Sequence, residues 1–220
     1  MIINSSDQKQ SLLHYFLKGE FLKRSFDTLA TSLGLINSYF IISNLSVFHF
    51  GLYQLVLSAV AIVDGFSLDV IDGVVSVDVR RYFNQNLRSA AKKLYLSYAK
   101  FKLGISFVTS GAMFFLSDVI ARSYGEDIGL FIKIASLLVV LRALQSLESM
   151  LLKITLNFFY WSYPAIREAA KLVFVVLFLV MSGHFSIVQV IAAHVLADGV
   201  AILFLTLVLF WRGFLKAFGG

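Results

Sequence analysis

From Leu29 onward the chain is a series of apolar runs, each about as long as a bilayer is thick, separated by short charged stretches. A membrane-crossing helix needs roughly 20 mostly apolar residues, and runs of that kind recur as far as Trp211. Mean hydropathy is +0.83. Charged residues make up 15% of the chain, too few to cover a soluble domain of 220 residues. Lipid is therefore the solvent for most of these side chains. The expected fold class is an all-α integral membrane protein.

The runs predict six transmembrane helices in a single domain over 1–220, at about 29–48, 52–75, 103–120, 128–152, 165–183 and 186–211. Ahead of them, Leu12, Leu13, Phe16, Leu17 and Phe21 recur at three- and four-residue spacing, with Lys18, Lys23 and Arg24 between them. That pattern predicts a short interfacial helix within residues 1–27. Phe158, Phe159, Tyr160, Trp161 and Tyr163 suit the headgroup level, and Pro164 suits the first turn of the fifth helix.

Charge sets the orientation. With the N-terminus in the cytoplasm, every lysine and arginine falls on the inner side except Arg122, Lys133 and Arg142. The positive-inside rule then puts both termini in the cytoplasm. The net charge of +6 reads as orientation in the cell membrane, and no nucleic-acid partner is expected. No cleavable signal peptide is expected, because about 25 mixed residues precede the first apolar run.

With no cysteine, thiol chemistry and disulfides are excluded. The four histidines are not in metal-ligand spacing, and neither a Gly-x-x-x-x-Gly-Lys loop nor a His-Glu-x-x-His motif occurs. His184 follows Ser182 and Gly183 at a loop, where no separate element brings a base to the serine. No enzyme activity, cofactor or metal is expected.

Polar residues within apolar spans carry the functional information. At 100° per residue, Arg142, Gln145, Ser146, Ser149 and Lys153 form one stripe on the fourth span. A stripe holding an arginine faces protein or water, since lipid exposure costs about 3 kcal/mol or more. It suits the wall of a cavity receiving an anionic group; an ion pair between helices is the equal alternative. Glu148 lies off the stripe, where it pairs with a neighbouring helix or snorkels.

The second span carries Asp64, Asp69, Asp72 and Asp78 toward its cytoplasmic end. Asp64, Asp69 and Asp72 are candidates for ion coupling, against the plainer reading of a helix end emerging beside arginines. His194 and Asp198 stand one turn apart on the sixth span, a candidate proton-coupled pair or an internal hydrogen bond. Asn37, with Gly34 and Ser38, is expected to line the cavity or a close helix contact.

A surface helix leading into the first span, Phe50-Gly51-Leu52-Tyr53-Gln54 opening the second, Asp72-Gly73 to Arg80-Arg81-Tyr82 ending it, and Tyr163 to Leu172 starting the fifth together resemble a known family. The chain is similar to the N-terminal half of polysaccharide (O-antigen type) flippases, within the multidrug/oligosaccharidyl-lipid/polysaccharide exporter superfamily. The resemblance implies transport of a lipid-linked oligosaccharide of the undecaprenyl-diphosphate type by alternating access. It implies a role in polysaccharide or lipopolysaccharide biosynthesis in the cell inner membrane.

Members of that family carry about twice as many spans, in two lobes around a cavity. The chain is thus expected to be one lobe, with the second supplied by further sequence or by a homodimer partner. The other functions in view are a non-transport scaffold or assembly subunit, and an exporter of amphipathic small molecules.

Overall fold

Apolar runs of this length leave no water to satisfy backbone N–H and C=O groups, and only a helix satisfies each within its own segment. The computed structural model of the chain describes residues 5–65, 69–122, 128–154, 161–183 and 185–211, and among these it is all helical with no strand. The elements are α1 (Ser5–Asn44), α2 (Val47–Asp64), α3 (Asp69–Asn84), α4 (Arg88–Arg122), α5 (Ile128–Ile154), α6 (Tyr163–Ser182) and α7 (Ile187–Trp211). Four of them, α2, α4, α5 and α7, are long and apolar enough to cross a membrane. The chain therefore has the architecture of a helical membrane protein.

Three boundaries differ from the sequence reading. Residues 5–44 form one continuous helix, so no separate interfacial helix ends at residue 27. Nothing in Thr28 to Ala30 breaks the helical path, neither glycine nor proline. The expected second span over 52–75 is two helices: α2 stops at Asp64, with the Gly65 N–H closing onto the Ala61 carbonyl oxygen at 3.0 Å. The basic stretch before residue 103 is helical from Arg88 onward, making α4 35 residues long. The side chains of Leu12, Leu13, Phe16 and Asp69 lie outside the described residues, as do Phe158 to Tyr160, His184, Arg212 and Lys216.

Local signals set the remaining ends. Ser46 caps α2 by accepting the His49 N–H at 3.2 Å. Gly183 ends α6 at φ 64°, a left-handed conformation that glycine adopts without a Cβ penalty.

Helix α5 sits at the centre, packed against α4, α7, α2 and α3, while α1 leans on α6 and α6 on α7. Three buried clusters join them. Val56, Val60, Ile132, Leu138, Val190 and Ile191 lock α2, α5 and α7. Val79, Ala91, Tyr98, Leu147 and Met150 lock α3, α4 and α5. Leu152, Tyr163, Ala201 and Leu205 lock α5, α6 and α7. Each apolar core residue of this kind stabilises by roughly 1.5–3 kcal/mol relative to water, and by less relative to lipid. Packing alone thus leaves room for polar contacts to decide which faces meet.

Candidate functional site

The stripe on α5 is where the polar contacts concentrate. Arg142 Nη1 donates to Asp64 Oδ2 at 2.7 Å, tying the end of α2 to the middle of α5. One turn on, the Ser146 hydroxyl donates to Asp72 of α3. Lys102 of α4 donates to Ser146 Oγ at 2.9 Å and to Asp72 Oδ2 at 2.5 Å, and the Tyr98 hydroxyl reaches Asp72 Oδ1 at 2.5 Å. Gln145 Nε2 donates to Ser149 Oγ at 3.3 Å. The break between α2 and α3 is thereby pinned to α5 on both sides, by Asp64 before it and Asp72 after it.

Two cavities run along this stripe. The larger, about 640 Å³, is lined by Gln145, Ser146, Ser149 and Lys153 of α5, with Lys23 and Asp27 of α1, Asp72 and Ser76 of α3, and Trp161 and Tyr163. The Lys23 ammonium sits 4.6 Å from the centre of the Trp161 ring at its mouth, a cation–π distance. The smaller, about 370 Å³, is lined by Asp64, Lys102, Arg142, Gln145, Ser146 and Arg167. Gln145 and Ser146 line both, so the two spaces adjoin.

A second polar cluster joins α1, α6 and α7. Asn37 Nδ2 donates to the Glu168 carbonyl oxygen and to Glu168 Oε2, both at 2.9 Å. Glu168 also receives Lys171 Nζ at 2.5 Å and Arg167 Nη2 at 2.9 Å. Arg167 Nε stands 3.8 Å from Asp198 Oδ1, which accepts from the Tyr163 hydroxyl at 3.3 Å. Tyr53 and His194 form a hydrogen bond of 2.7 Å between Oη and Nε2.

The structure chooses among the alternatives that the sequence left open for several of these residues. Asn37 lines neither cavity; it is fully buried where α1 meets α6, held by its two hydrogen bonds to Glu168. His194 and Asp198 share a face of α7 but have separate partners, since α2 brings Tyr53 to one and α6 brings Arg167 to the other. Asp72 does not emerge among solvated arginines; it meets Lys102 inside the α3–α4–α5 seam. Arg142 has both features set against each other earlier, a carboxylate partner and a cavity. Glu148 turns to α7, where it contacts the Thr206 hydroxyl.

Lys102, Arg167, Glu168 and Lys171 were not singled out from the sequence. A signal for Lys102 existed: Tyr98, Lys102, Ser106, Ser110, Met113 and Ser117 recur every three or four residues and form the buried face of α4. For the α6 residues the signal is three charges within one turn of a helix that is apolar from Leu172 on. Together the paired interior charges cancel: Asp64, Asp72, Glu168 and Asp198 face Arg142, Lys102, Lys171 and Arg167. Ions taken out of water are tolerated when each has such a partner. Compared with known proteins, the chain matches no family model, no curated protein and no solved structure.

The arrangement is a polar groove in an apolar body. Each guanidinium carries five donors in a planar fork, and the Asp64 contact engages one nitrogen of Arg142. The groove can hold water and an oxyanion.

Proposed function

We propose that the chain is one lobe of a lipid-linked oligosaccharide flippase working by alternating access. The observation that carries this reading is the cavity pair along the Arg142–Lys153 stripe: the charged face of α5 borders open space rather than closed core. A sugar headgroup travels through that space while its lipid tail stays in the bilayer. Arg142, with Gln145, Ser146, Ser149 and Lys153 along the path, receives a diphosphate of the undecaprenyl type. The groove is completed by a second lobe or a second copy of the chain. Asp64, Asp69, Asp72, His194 and Asp198 are the candidate ion-coupling groups, driven by an ion gradient or the membrane potential.

In this reading the bundle crosses the cell membrane six times. The second half of α1 and the apolar part of α6 join the four long apolar helices, and both termini lie in the cytoplasm. Lys23 and Lys153 then stand at the cytoplasmic mouth.

The test is reconstitution with an undecaprenyl-diphosphate-linked sugar and a headgroup-accessibility assay. Arg142→Ala is expected to abolish flipping while leaving membrane insertion and bundle stability measurable. Full flipping by that variant sinks the role given to the stripe.

A non-transport scaffold is the second reading, favoured by the Arg142–Asp64 ion pair, which joins helices without any ligand. Export of a smaller amphipathic molecule through the same groove is the alternative within transport.

A further inference from the structure

Glu148 is the interior acid that the ion pairs leave out. It lies on α5, off the stripe, in a helix long and apolar enough to cross a membrane. Asp64, Asp72, Glu168 and Asp198 each face a lysine or arginine, whereas Glu148 has no ion-pair partner among the described residues. Tyr95 of α4 lies within electrostatic reach of it, and α7 presents the hydroxyl of Thr206. One carboxyl oxygen contacts that hydroxyl; the other is buried with no hydrogen-bond partner.

Proton counting at Thr206 identifies the state of this carboxyl. Thr206 Oγ1 lies 3.0 Å from the Ile202 carbonyl oxygen one turn back, the usual bond of a threonine in an apolar helix. The same oxygen contacts Glu148 Oε1. A hydroxyl has one proton to donate. An ionised Glu148 takes that proton, leaving the Ile202 contact empty and a charged oxygen buried without a partner. A protonated Glu148 donates to Thr206 Oγ1, and Thr206 donates onward to Ile202, so both contacts are filled. The remaining buried oxygen is then a neutral carbonyl, far less costly to leave unpaired than an ion.

The surroundings agree. Thr206 is exposed, on the face of α7 that also exposes Leu203, Leu207 and Phe210. That face is apolar at three- and four-residue spacing, the pattern of a surface covered by acyl chains. Glu148 thus meets α7 beside this apolar face, and it lines neither cavity of the groove.

We propose that Glu148 is a proton-binding site on the lipid side of the bundle, held as the neutral acid and donating to Thr206. The proposal does not depend on the transport reading, because Glu148 lines neither cavity of the groove.

Infrared difference spectroscopy tests it, on the full chain in lipid vesicles at neutral pH, wild type against Glu148→Gln, in water and in deuterium oxide. Glutamine keeps the shape and the acceptor. The expected result is the carbonyl stretch of a protonated carboxylic acid, deuterium-sensitive, present in the wild type and missing from the variant. Removing the side chain must delete either that band or a pair of carboxylate bands, and loss of the carboxylate pair overturns the proposal. If the variant cannot be produced, the wild type in vesicles is treated with dicyclohexylcarbodiimide, an apolar reagent that adds to protonated carboxyls. Peptide mass analysis is then expected to find the adduct on Glu148 in preference to Asp64, Asp72, Glu168 and Asp198. Labelling of those four at or above the level of Glu148 counts against it.

Discussion

Lys102, only 1% exposed, places its ammonium 2.5 Å from Asp72 Oδ2 across the α3–α4 seam. A lysine so completely buried persists because its charge is matched. Removing one partner strands the other in a medium that cannot solvate it.

Lys102→Met is therefore expected to lower stability by about 3 kcal/mol, the range for breaking a buried ion pair. The double variant Lys102→Met with Asp72→Asn is expected to recover most of that loss. Unfolding midpoints of four proteins in mixed micelles, the wild type, each single variant and the double, measure it, and an additive double variant means that the two side chains do not interact.

The Arg142–Asp64 pair separates the two functional readings. Exchanging the partners, Arg142→Asp with Asp64→Arg, keeps an ion pair between α2 and α5 but moves the guanidinium off the stripe. A scaffold is expected to tolerate the exchange with little change in unfolding midpoint and full assembly function. A flippase is expected to keep the fold and lose glycolipid flipping, so flipping and unfolding are followed side by side.

Asn37→Ala removes both hydrogen bonds to Glu168 at the α1–α6 seam. The expected cost is about 1–3 kcal/mol, because the Glu168 groups left behind are buried. An unchanged midpoint means that apolar contact alone holds α1 in place.

Two glycines differ in what a methyl group would meet. A Cβ at Gly34 meets Glu168 Oε2 at 3.8 Å, an ordinary contact, so Gly34→Ala is expected to stabilise by up to about 1 kcal/mol through helix propensity. A Cβ at Gly129 meets Asp118 Oδ1 at 2.9 Å and pushes that carboxylate from Lys133, which it contacts at 2.7 and 3.0 Å. Losing this exposed pair costs no more than about 1 kcal/mol, so Gly129→Ala is expected to be less stable than Gly34→Ala. The reverse order counts against the α4–α5 packing described above.

Helical, membrane-type character was legible because it depends on run length and hydropathy alone. The α5 stripe was legible too, since a fixed rotation of 100° places Arg142, Gln145, Ser146, Ser149 and Lys153 without knowledge of any neighbour. What sits opposite a stripe is a different matter. Asp72 and Lys102 are 30 residues apart, and nothing local says that α3 folds back along α4. His194 and Asp198 show the same limit: their common face was correct geometry, but helices from elsewhere reached each first. The end of α2 at Asp64 was hidden because apolar residues resume beyond it, at Val70, Ile71, Val74 and Val75.

Helix α4 is longer than any bilayer requires. About 20 of its 35 residues suffice to cross the hydrocarbon, so the part carrying Arg88, Lys92, Lys93 and Lys100 is an extension of about 22 Å that runs packed against α3 and α5. Tyr98 and Lys102, which grip Asp72, lie near its base. The extension is held at its far end as well, where Ala91 is fully buried in the cluster that α3, α4 and α5 share. Any shift at the Asp72 junction is thus carried by three helices moving together rather than by α4 alone.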